Sequence, residues 1–83
     1  MHFSMTDLGG KLRERRELLG LFQSQLAALS GVSTRTIQLV EQGKGNPSLD
    51  TLLQLADPLG LSFDLVLKEP ANKISDENSP GVL

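Results

Sequence analysis

The sequence contains no cysteine and only one histidine, His2. This excludes a disulfide framework and any metal site built from thiolates or clustered histidines, and it is typical of a protein from a reducing compartment. No apolar run approaches the roughly 18 residues that a membrane span requires, and the first five residues do not resemble a signal peptide. The sequence therefore predicts a soluble, cytoplasmic protein with no membrane partner and no cofactor.

Residue patterns typical of enzymes are missing as well. No serine, histidine and acid occur in an arrangement suited to nucleophilic catalysis. The glycines of Gly9-Gly10 and Gly43-Lys44-Gly45 lack the flanking residues of a phosphate-binding loop. We therefore predict that the protein is not an enzyme and has neither catalytic nor metal-binding residues.

The chain is short and carries a small acidic excess. Its 83 residues are enough for one domain, and a domain of this size relies on close helix packing or on a partner subunit. The net charge of -2 argues against a nucleic-acid partner. However, residues 1–68 carry seven basic and seven acidic side chains, so the excess lies entirely in residues 69–83. The charge of the body therefore permits DNA binding without favouring it.

Four segments have the spacing of apolar residues expected of helices. Thr6 or Asp7 is expected to cap the first helix, Ser33 the third and Ser48 the fourth, while Pro58 should kink or end the fourth. Glycine-rich turns separate the segments. The predicted helices cover residues 8–19, 22–30, 34–42 and 49–59.

The pattern changes after Gly60, where apolar residues alternate with others at the spacing of a strand. A lone strand leaves its backbone groups unpaired, so the same strand of a second copy is the expected partner; a short fifth helix is the alternative. From residue 69 onward the chain is polar, which predicts disorder. We thus expect a flexible N-terminus at 1–5, a DNA-binding and dimerisation domain at 6–68, and a disordered acidic tail at 69–83. The expected dimerisation residues are Leu61, Phe63, Leu65 and Leu67.

The most specific pattern lies within residues 23–43. Ala27 precedes Gly31 by four residues, where two helices cross closely, and Gly31 suits the left-handed conformation of a sharp turn. The apolar residues around this pair have the spacing expected of two helices that pack against each other. This pattern predicts a DNA-binding helix-turn-helix, the alternative being a purely structural helical hairpin. The agreeing apolar positions are Leu26, Val32, Ile37 and Val40.

Over residues 8–60 the chain resembles the XRE, or lambda-repressor-like, family of helix-turn-helix proteins. The resemblance implies an all-α domain of four to five helices, and the alternation after Gly60 adds a short C-terminal strand that is expected to pair across a dimer. The motifs that carry the resemblance are Leu8-Gly9, Gly20-Leu21-Phe22-Gln23 with Leu26-Ala27, Gly31-Val32-Ser33, Ile37 with Glu41 and Gly43, and Pro47-Ser48-Leu49-Asp50-Thr51-Leu52.

In such a fold the third helix is expected to enter the major groove of DNA. Arg35 suits guanine, Gln38 suits adenine, and Leu39 suits a thymine methyl group. Ser33 and Thr34 complete the expected base-reading set, although capping alone explains Ser33. An ordinary solvated helix face is the alternative for Arg35 and Gln38.

A second set of residues is expected to contact phosphates. Gln23 opens the second helix, where free N–H groups favour an anion. Thr36, Lys44 and Asn46 are the other candidates, and for Lys44 a plain surface lysine is nearly as good an explanation. Phe22 stands where the family usually has a capping Ser, Thr or Asn, a loss that typically costs about 1 kcal/mol.

The resemblance also implies an ion pair between Glu41 and Arg16 that braces the first helix against the third. The alternative is a loose surface pair worth less than about 1 kcal/mol. Residues 59–67 further resemble the HipB-like antitoxins, which pair through a strand, repress their own operon and bind a HipA-like kinase toxin.

Together these features predict a homodimeric repressor that binds an inverted-repeat operator in double-stranded DNA, in the form of a stand-alone repressor or an antitoxin. A protein-binding adaptor that has kept the fold without strong DNA affinity is the alternative.

Overall fold

The computed structural model describes residues 4–67, and every regular element within that range is helical. The first three residues, including His2, and residues 68–83, including the predicted acidic tail, lie outside the described range. Four α-helices are followed by one 3-10 turn, which confirms the predicted all-α helix-turn-helix fold. The elements are α1 (Met5–Leu18), α2 (Gln23–Ser30), α3 (Thr34–Glu41), α4 (Leu49–Ala56) and the 3-10 turn (Asp57–Leu59).

Helix α1 begins earlier than the sequence suggested. The Ser4 side chain accepts a hydrogen bond from the Asp7 backbone N–H at 3.1 Å, so Ser4 is the N-cap and the predicted cap at Thr6 or Asp7 is wrong. Met5, which was expected to belong to a flexible N-terminus, is the first residue of α1 and packs against the core. The buried contact of Met5 explains the additional turn, because it extends the apolar stripe of the helix by one position.

The caps of α3 and α4 are those predicted. The Ser33 hydroxyl accepts a hydrogen bond from the Thr36 backbone N–H, and the Ser48 hydroxyl accepts one from Thr51, each at 3.1 Å. Each cap satisfies one of the backbone donors that the first turn of a helix leaves without an intrahelical partner. Short helices of eight residues depend on such caps, because they contain few internal hydrogen bonds.

One apolar core unites the four helices. Every helix and the 3-10 turn contribute to it at least one side chain that is 2% exposed or less. Helix α4 ends at Ala56, and the chain continues through Pro58 into the 3-10 turn, whose Leu59 is fully buried. The Arg15 Nε donates to the Leu59 carbonyl at 2.8 Å and ties this turn to α1. The buried core comprises Leu8, Leu12, Leu26, Val32, Ile37, Val40, Leu52, Leu55 and Leu59.

Helices α1 and α3 approach each other closely at Gly9. Gly9 lies against the end of α3, and a Cβ built on Gly9 would fall onto the carbonyl oxygen of Val40. Gly10, the next residue, has open space around it. Of these two neighbouring glycines, only Gly9 is required by packing, and it sets the distance at which α1 supports α3.

Residues 61–67 form neither a helix nor a strand in the single chain. A fifth helix, the alternative considered for this segment, is thus not formed there. The predicted strand requires a second copy and stays a prediction. No helix among residues 4–67 is both long and apolar enough to cross a membrane.

Candidate nucleic-acid interface

Helices α2 and α3 are joined by a three-residue turn built on Gly31. Gly31 has φ of +77°, and its N–H bonds to the carbonyl of Ala27 at 2.9 Å. A side chain at position 31 would meet no neighbouring atom. The glycine is therefore needed for its left-handed backbone and not for space. Leu26 in α2 and Val32 within the turn are buried, which fixes α3 relative to α2.

Helix α3 has two distinct faces. Ile37 and Val40 are 1% exposed and hold the helix onto the core. Arg35 is exposed on the outer surface, in the first turn of the helix. The predicted base-reading residues Thr34, Gln38 and Leu39 are half-buried. Of the predicted set on α3, Arg35 is thus the side chain most accessible to a ligand.

The hydroxyl groups of Ser33 and Thr36 bond to each other. Ser33 Oγ donates to Thr36 Oγ1 at 3.0 Å while accepting from the Thr36 backbone N–H. The Ser33 hydroxyl proton is therefore engaged within the cap. Thr36 retains its own hydroxyl proton, which is free to be donated to an acceptor such as a phosphate.

The loop after α3 holds two of the predicted phosphate contacts. Gly43 donates to the Val40 carbonyl at 2.9 Å and Lys44 donates to the Leu39 carbonyl at 2.8 Å, closing the helix in the left-handed manner typical of glycine C-termini. The side chains of Lys44 and Asn46 are exposed. The structure thus places both at the end of α3 opposite to Arg35.

The N-terminus of α2 has half of a capping box. Phe22 occupies the cap position, is 72% exposed and has no side-chain acceptor to offer. The Gln25 side chain instead accepts a hydrogen bond from the Phe22 backbone N–H at 2.8 Å. Gln25, which the sequence reasoning did not single out, therefore compensates in part for the missing cap, and a glutamine three residues after the cap was the available signal.

Arg16 and Glu41 form a bidentate, nearly buried pair. Arg16 Nε lies 2.7 Å from Glu41 Oε2 and Arg16 Nη2 lies 2.9 Å from Oε1, while Nη1 donates to the Leu21 carbonyl at 2.7 Å. Their side chains are 10% and 5% exposed, so this is not a loose surface pair. Hydrogen bonding to Glu41 raises the pKa of Arg16, and this effect outweighs the opposing effect of burial. The guanidinium therefore stays charged.

Gln23 joins the same cluster. Its Nε2 donates to Glu41 Oε1 at 3.1 Å, so the carboxylate bonds to one side chain from α1 and one from α2. The sequence placed Gln23 at the first turn of α2 but did not anticipate this bond. Of the first-turn N–H groups of α2, that of Gln25 bonds to the Phe22 carbonyl at 3.0 Å, while those of Gln23 and Ser24 remain available to a ligand.

The predicted dimerisation residues lie away from α3, after the 3-10 turn. Leu61 and Phe63 are partly covered and line a groove against α1 together with Leu8 and Leu18. Leu65 and Leu67 are almost fully exposed, as is the intervening Val66. The exposed end of this segment is therefore apolar.

Comparisons with known proteins agree with this architecture. A helix-turn-helix family model matches residues 12–66. A regulator described as an uncharacterized HTH-type transcriptional regulator of Haemophilus influenzae is 47% identical over 51 residues, which are 61% of this chain and 52% of that protein. The HTH-type transcriptional regulator PuuR of Escherichia coli is 39% identical over 62 residues, 75% of this chain and 34% of that protein.

A solved structure is similar as well. The restriction-modification controller protein C.AhdI from Aeromonas hydrophila superposes with a TM-score of 0.66 at 40% identity, covering 70% of this chain and 88% of that one. The chain corresponds to about half of the Haemophilus influenzae regulator and a third of PuuR. Since the family match covers more than half of the chain, this protein belongs to the XRE-type helix-turn-helix family of DNA-binding transcriptional regulators, a family of regulators and not of enzymes.

Proposed function

We propose that the protein is a sequence-specific repressor that binds an inverted-repeat operator as a homodimer. The observation that carries this proposal is the position of Arg35, which is exposed on α3 while Ile37 and Val40 bury the opposite face. A helix held in this way presents its N-terminal half to the major groove. Its site of action is then the bacterial cytoplasm, where the DNA is located.

Base recognition rests on the outer side chains of α3. The Arg35 guanidinium can donate two hydrogen bonds to guanine, and the Gln38 amide matches adenine. Leu39 offers an apolar contact to a thymine methyl group, and Thr34 and Ser33 flank the same surface. Since Ser33 donates its proton to Thr36, we expect it to act mainly as the cap.

Contacts to phosphates set the register of the protein on DNA. Gln23 begins α2, and the Thr36 hydroxyl, Lys44 and Asn46 lie on or directly after α3. Such contacts position a protein without reading its sequence. Of these four side chains only Lys44 carries charge, so together with Arg35 the protomer releases few counterions and its salt dependence should be moderate.

Dimerisation is expected through residues 61–67. Three consecutive apolar side chains at 65–67 are exposed in the single chain, and surfaces of this kind mark protein interfaces. Pairing of this segment with its copy as a two-stranded ribbon satisfies its backbone groups and covers Leu65. The two copies of α3 would then lie about 34 Å apart, one turn of DNA.

Binding to an operator that overlaps a promoter would block polymerase. The antitoxin form of this function would include autorepression and a HipA-like kinase toxin as partner. Its only support is the resemblance of residues 59–67 to HipB-like antitoxins. A kinase-like gene beside this one is what separates an antitoxin from a stand-alone repressor.

A fluorescence anisotropy titration tests the proposal. The protein is titrated against the DNA upstream of its own gene at two salt concentrations, with Arg35→Ala and, as a matched loss of one exposed arginine, Arg13→Ala. Arg35→Ala should cost about 1–3 kcal/mol and relax the preference at one base position, whereas Arg13→Ala, on α1, should change affinity little. Equal behaviour of the two variants would place the recognition surface elsewhere.

The adaptor alternative is favoured by one observation, the net charge of -2. It predicts no binding to any duplex at low salt, where electrostatic attraction to DNA is strongest. A protein partner would then be the object to look for.

A further inference from the structure

The cluster formed by Arg16, Gln23 and Glu41 has a feature that bracing does not explain. Arg16 alone occupies both carboxylate oxygens of Glu41. The ion pair is therefore bidentate without the additional bond from Gln23 to Glu41, and this bond restricts a side chain at the first turn of α2. Gln23 is half-buried, so part of it still faces solvent.

We propose that Glu41 is a positioning residue for DNA binding, because its carboxylate fixes the Gln23 carboxamide with the NH₂ group in place for a phosphate. This inference rests on the proposed function. An ionised carboxylate only accepts hydrogen bonds, so it selects the nitrogen end of the carboxamide and rejects the oxygen end. A glutamine side chain without this bond can turn either end of its carboxamide toward a phosphate. If the oxygen end faced the phosphate, two acceptors would meet and no hydrogen bond would form.

The geometry of the amide then directs the second proton. The NH₂ group is planar and carries two N–H bonds. With one of them bonded to Glu41 Oε1 at 3.1 Å, the direction of the other is set by the plane of the amide. The remaining proton and the backbone N–H groups of Gln23 and Ser24 are available to one anion.

Arg16 balances the charge of Glu41 and orients its carboxylate. The guanidinium neutralises Glu41, so a carboxylate can stand near a DNA phosphate without repelling it, and two parallel hydrogen bonds hold the carboxylate in a single orientation. Arg16 also donates to the Leu21 carbonyl, two residues before Gln23, which anchors the start of α2 to the same cluster. The ion pair thereby connects the brace between α1 and α3 to the expected phosphate contact.

The test combines protein variants with neutral phosphates. A duplex enriched from a random library by the wild-type protein is prepared with single methylphosphonate replacements, which remove the charge of one phosphate at a time. The variants are Gln23→Met, which removes the donor, and Glu41→Asp, which keeps the charge for Arg16 but withdraws the carboxylate from Gln23. Glu17→Asp, in the exposed Arg13–Glu17 pair, is the matched control.

One phosphate in each half-site should weaken wild-type binding about tenfold when it is neutralised, the ratio expected for a hydrogen bond to a charged group. Gln23→Met should weaken binding by a similar factor and be insensitive to that replacement. Glu41→Asp should behave like Gln23→Met, and adding it to Gln23→Met should cost nothing further. Glu17→Asp should bind like the wild type and keep its sensitivity.

The thermal midpoint of each variant distinguishes a loss of positioning from a loss of stability. The side-chain NH₂ resonances of Gln23 in NMR spectra report the bond to Glu41 in the absence of DNA. A shift of those resonances in Glu41→Asp supports the inference. If Glu41→Asp keeps the full phosphate sensitivity of the wild type, or if its effect simply adds to that of Gln23→Met, the inference is overturned while the repressor function stands. If the library yields no enriched duplex, the proposed function fails and the inference fails with it.

Discussion

The contact between α1 and α3 is complete within one chain, whereas the segment at 61–67 is not. Between α1 and α3 there is no spare space at Gly9, and the buried charges of Arg16 and Glu41 have all their partners within the same chain. In the segment at 61–67, apolar side chains are exposed and no backbone ladder is formed. The contact that supports α3, the proposed DNA-binding helix, is thus complete in one copy, whereas the surface proposed for dimerisation lacks a partner. The two surfaces should therefore respond to mutation independently.

Replacing Gly9 tests the closely packed contact between α1 and α3 and should have the largest effect on stability. In Gly9→Val the new side chain meets the Val40 carbonyl, a backbone atom that moves only if α1 and α3 separate. We expect a loss of about 4 kcal/mol or more, close to the whole stability of a small domain. Chemical denaturation followed by circular dichroism measures it.

Gly10→Ala is the matched control, because nothing lies within 4 Å of a Cβ at Gly10. Alanine in a helix is favoured over glycine by about 0.5–1 kcal/mol, so this variant should be more stable than the wild type. Comparable destabilisation of the two variants would mean that the close approach of α1 to α3 is not what Gly9 provides.

Arg16→Met should rank next. It leaves the Glu41 carboxylate, 5% exposed, without its cation, and removing one partner of a buried pair costs about 3–5 kcal/mol. Arg13→Met disrupts an ion pair of the same chemistry whose side chains are 61% and 55% exposed; such pairs contribute about 0.5 kcal/mol. Thermal melts of the two variants side by side decide whether burial produces the difference, and similar midpoints would show that it does not.

Leu65→Asp tests the exposed segment at 61–67. If the segment pairs across a dimer, each copy loses one buried leucine, or about 3 kcal/mol for the pair of copies, and the dimer should dissociate. Val66→Asp places the same charge on the neighbouring, equally exposed position, which alternation directs to the other face of a strand. Sedimentation should therefore show monomers for the first variant and dimers for the second. Dimers for both would remove 61–67 from the interface.

The smallest effect is expected from Phe22→Ser, which completes the half capping box of α2. The serine hydroxyl can accept from the first turn, while Gln25 continues to bond to the backbone N–H of residue 22. Since Phe22 is 72% exposed, little packing is lost. Stability should rise by up to about 1 kcal/mol, measured as a shift in the denaturation midpoint. A decrease would indicate that Phe22 packs more tightly than its exposure suggests.

The success of prediction from sequence depended on how local each feature is. The caps Ser33 and Ser48 and the turn at Gly31 follow from residues within one helical turn, and they were predicted. Ser4 was missed because Thr6 and Asp7 lie nearer to the apolar pattern. The need for glycine at position 9 and the bond between Gln23 and Glu41 depend on how separate helices meet, which no local pattern contains.

The pair Arg16 and Glu41 was proposed from family resemblance, and only the structure shows that it is buried and bidentate. The conformation of 61–67 is a different case. If the segment pairs across a dimer as proposed, its conformation depends on a second molecule, and neither the sequence nor a single chain determines it.

The division of α3 into a buried and an exposed face separates two evolutionary constraints. Ile37 and Val40 belong to the core, and changes there affect whether the chain folds. Arg35 lies on the exposed face, where substitutions typically alter stability by no more than about 0.5 kcal/mol. A duplicated copy of this gene can therefore acquire a new binding preference through that face while inheriting an intact scaffold, and many regulators with different targets can diverge from one small domain.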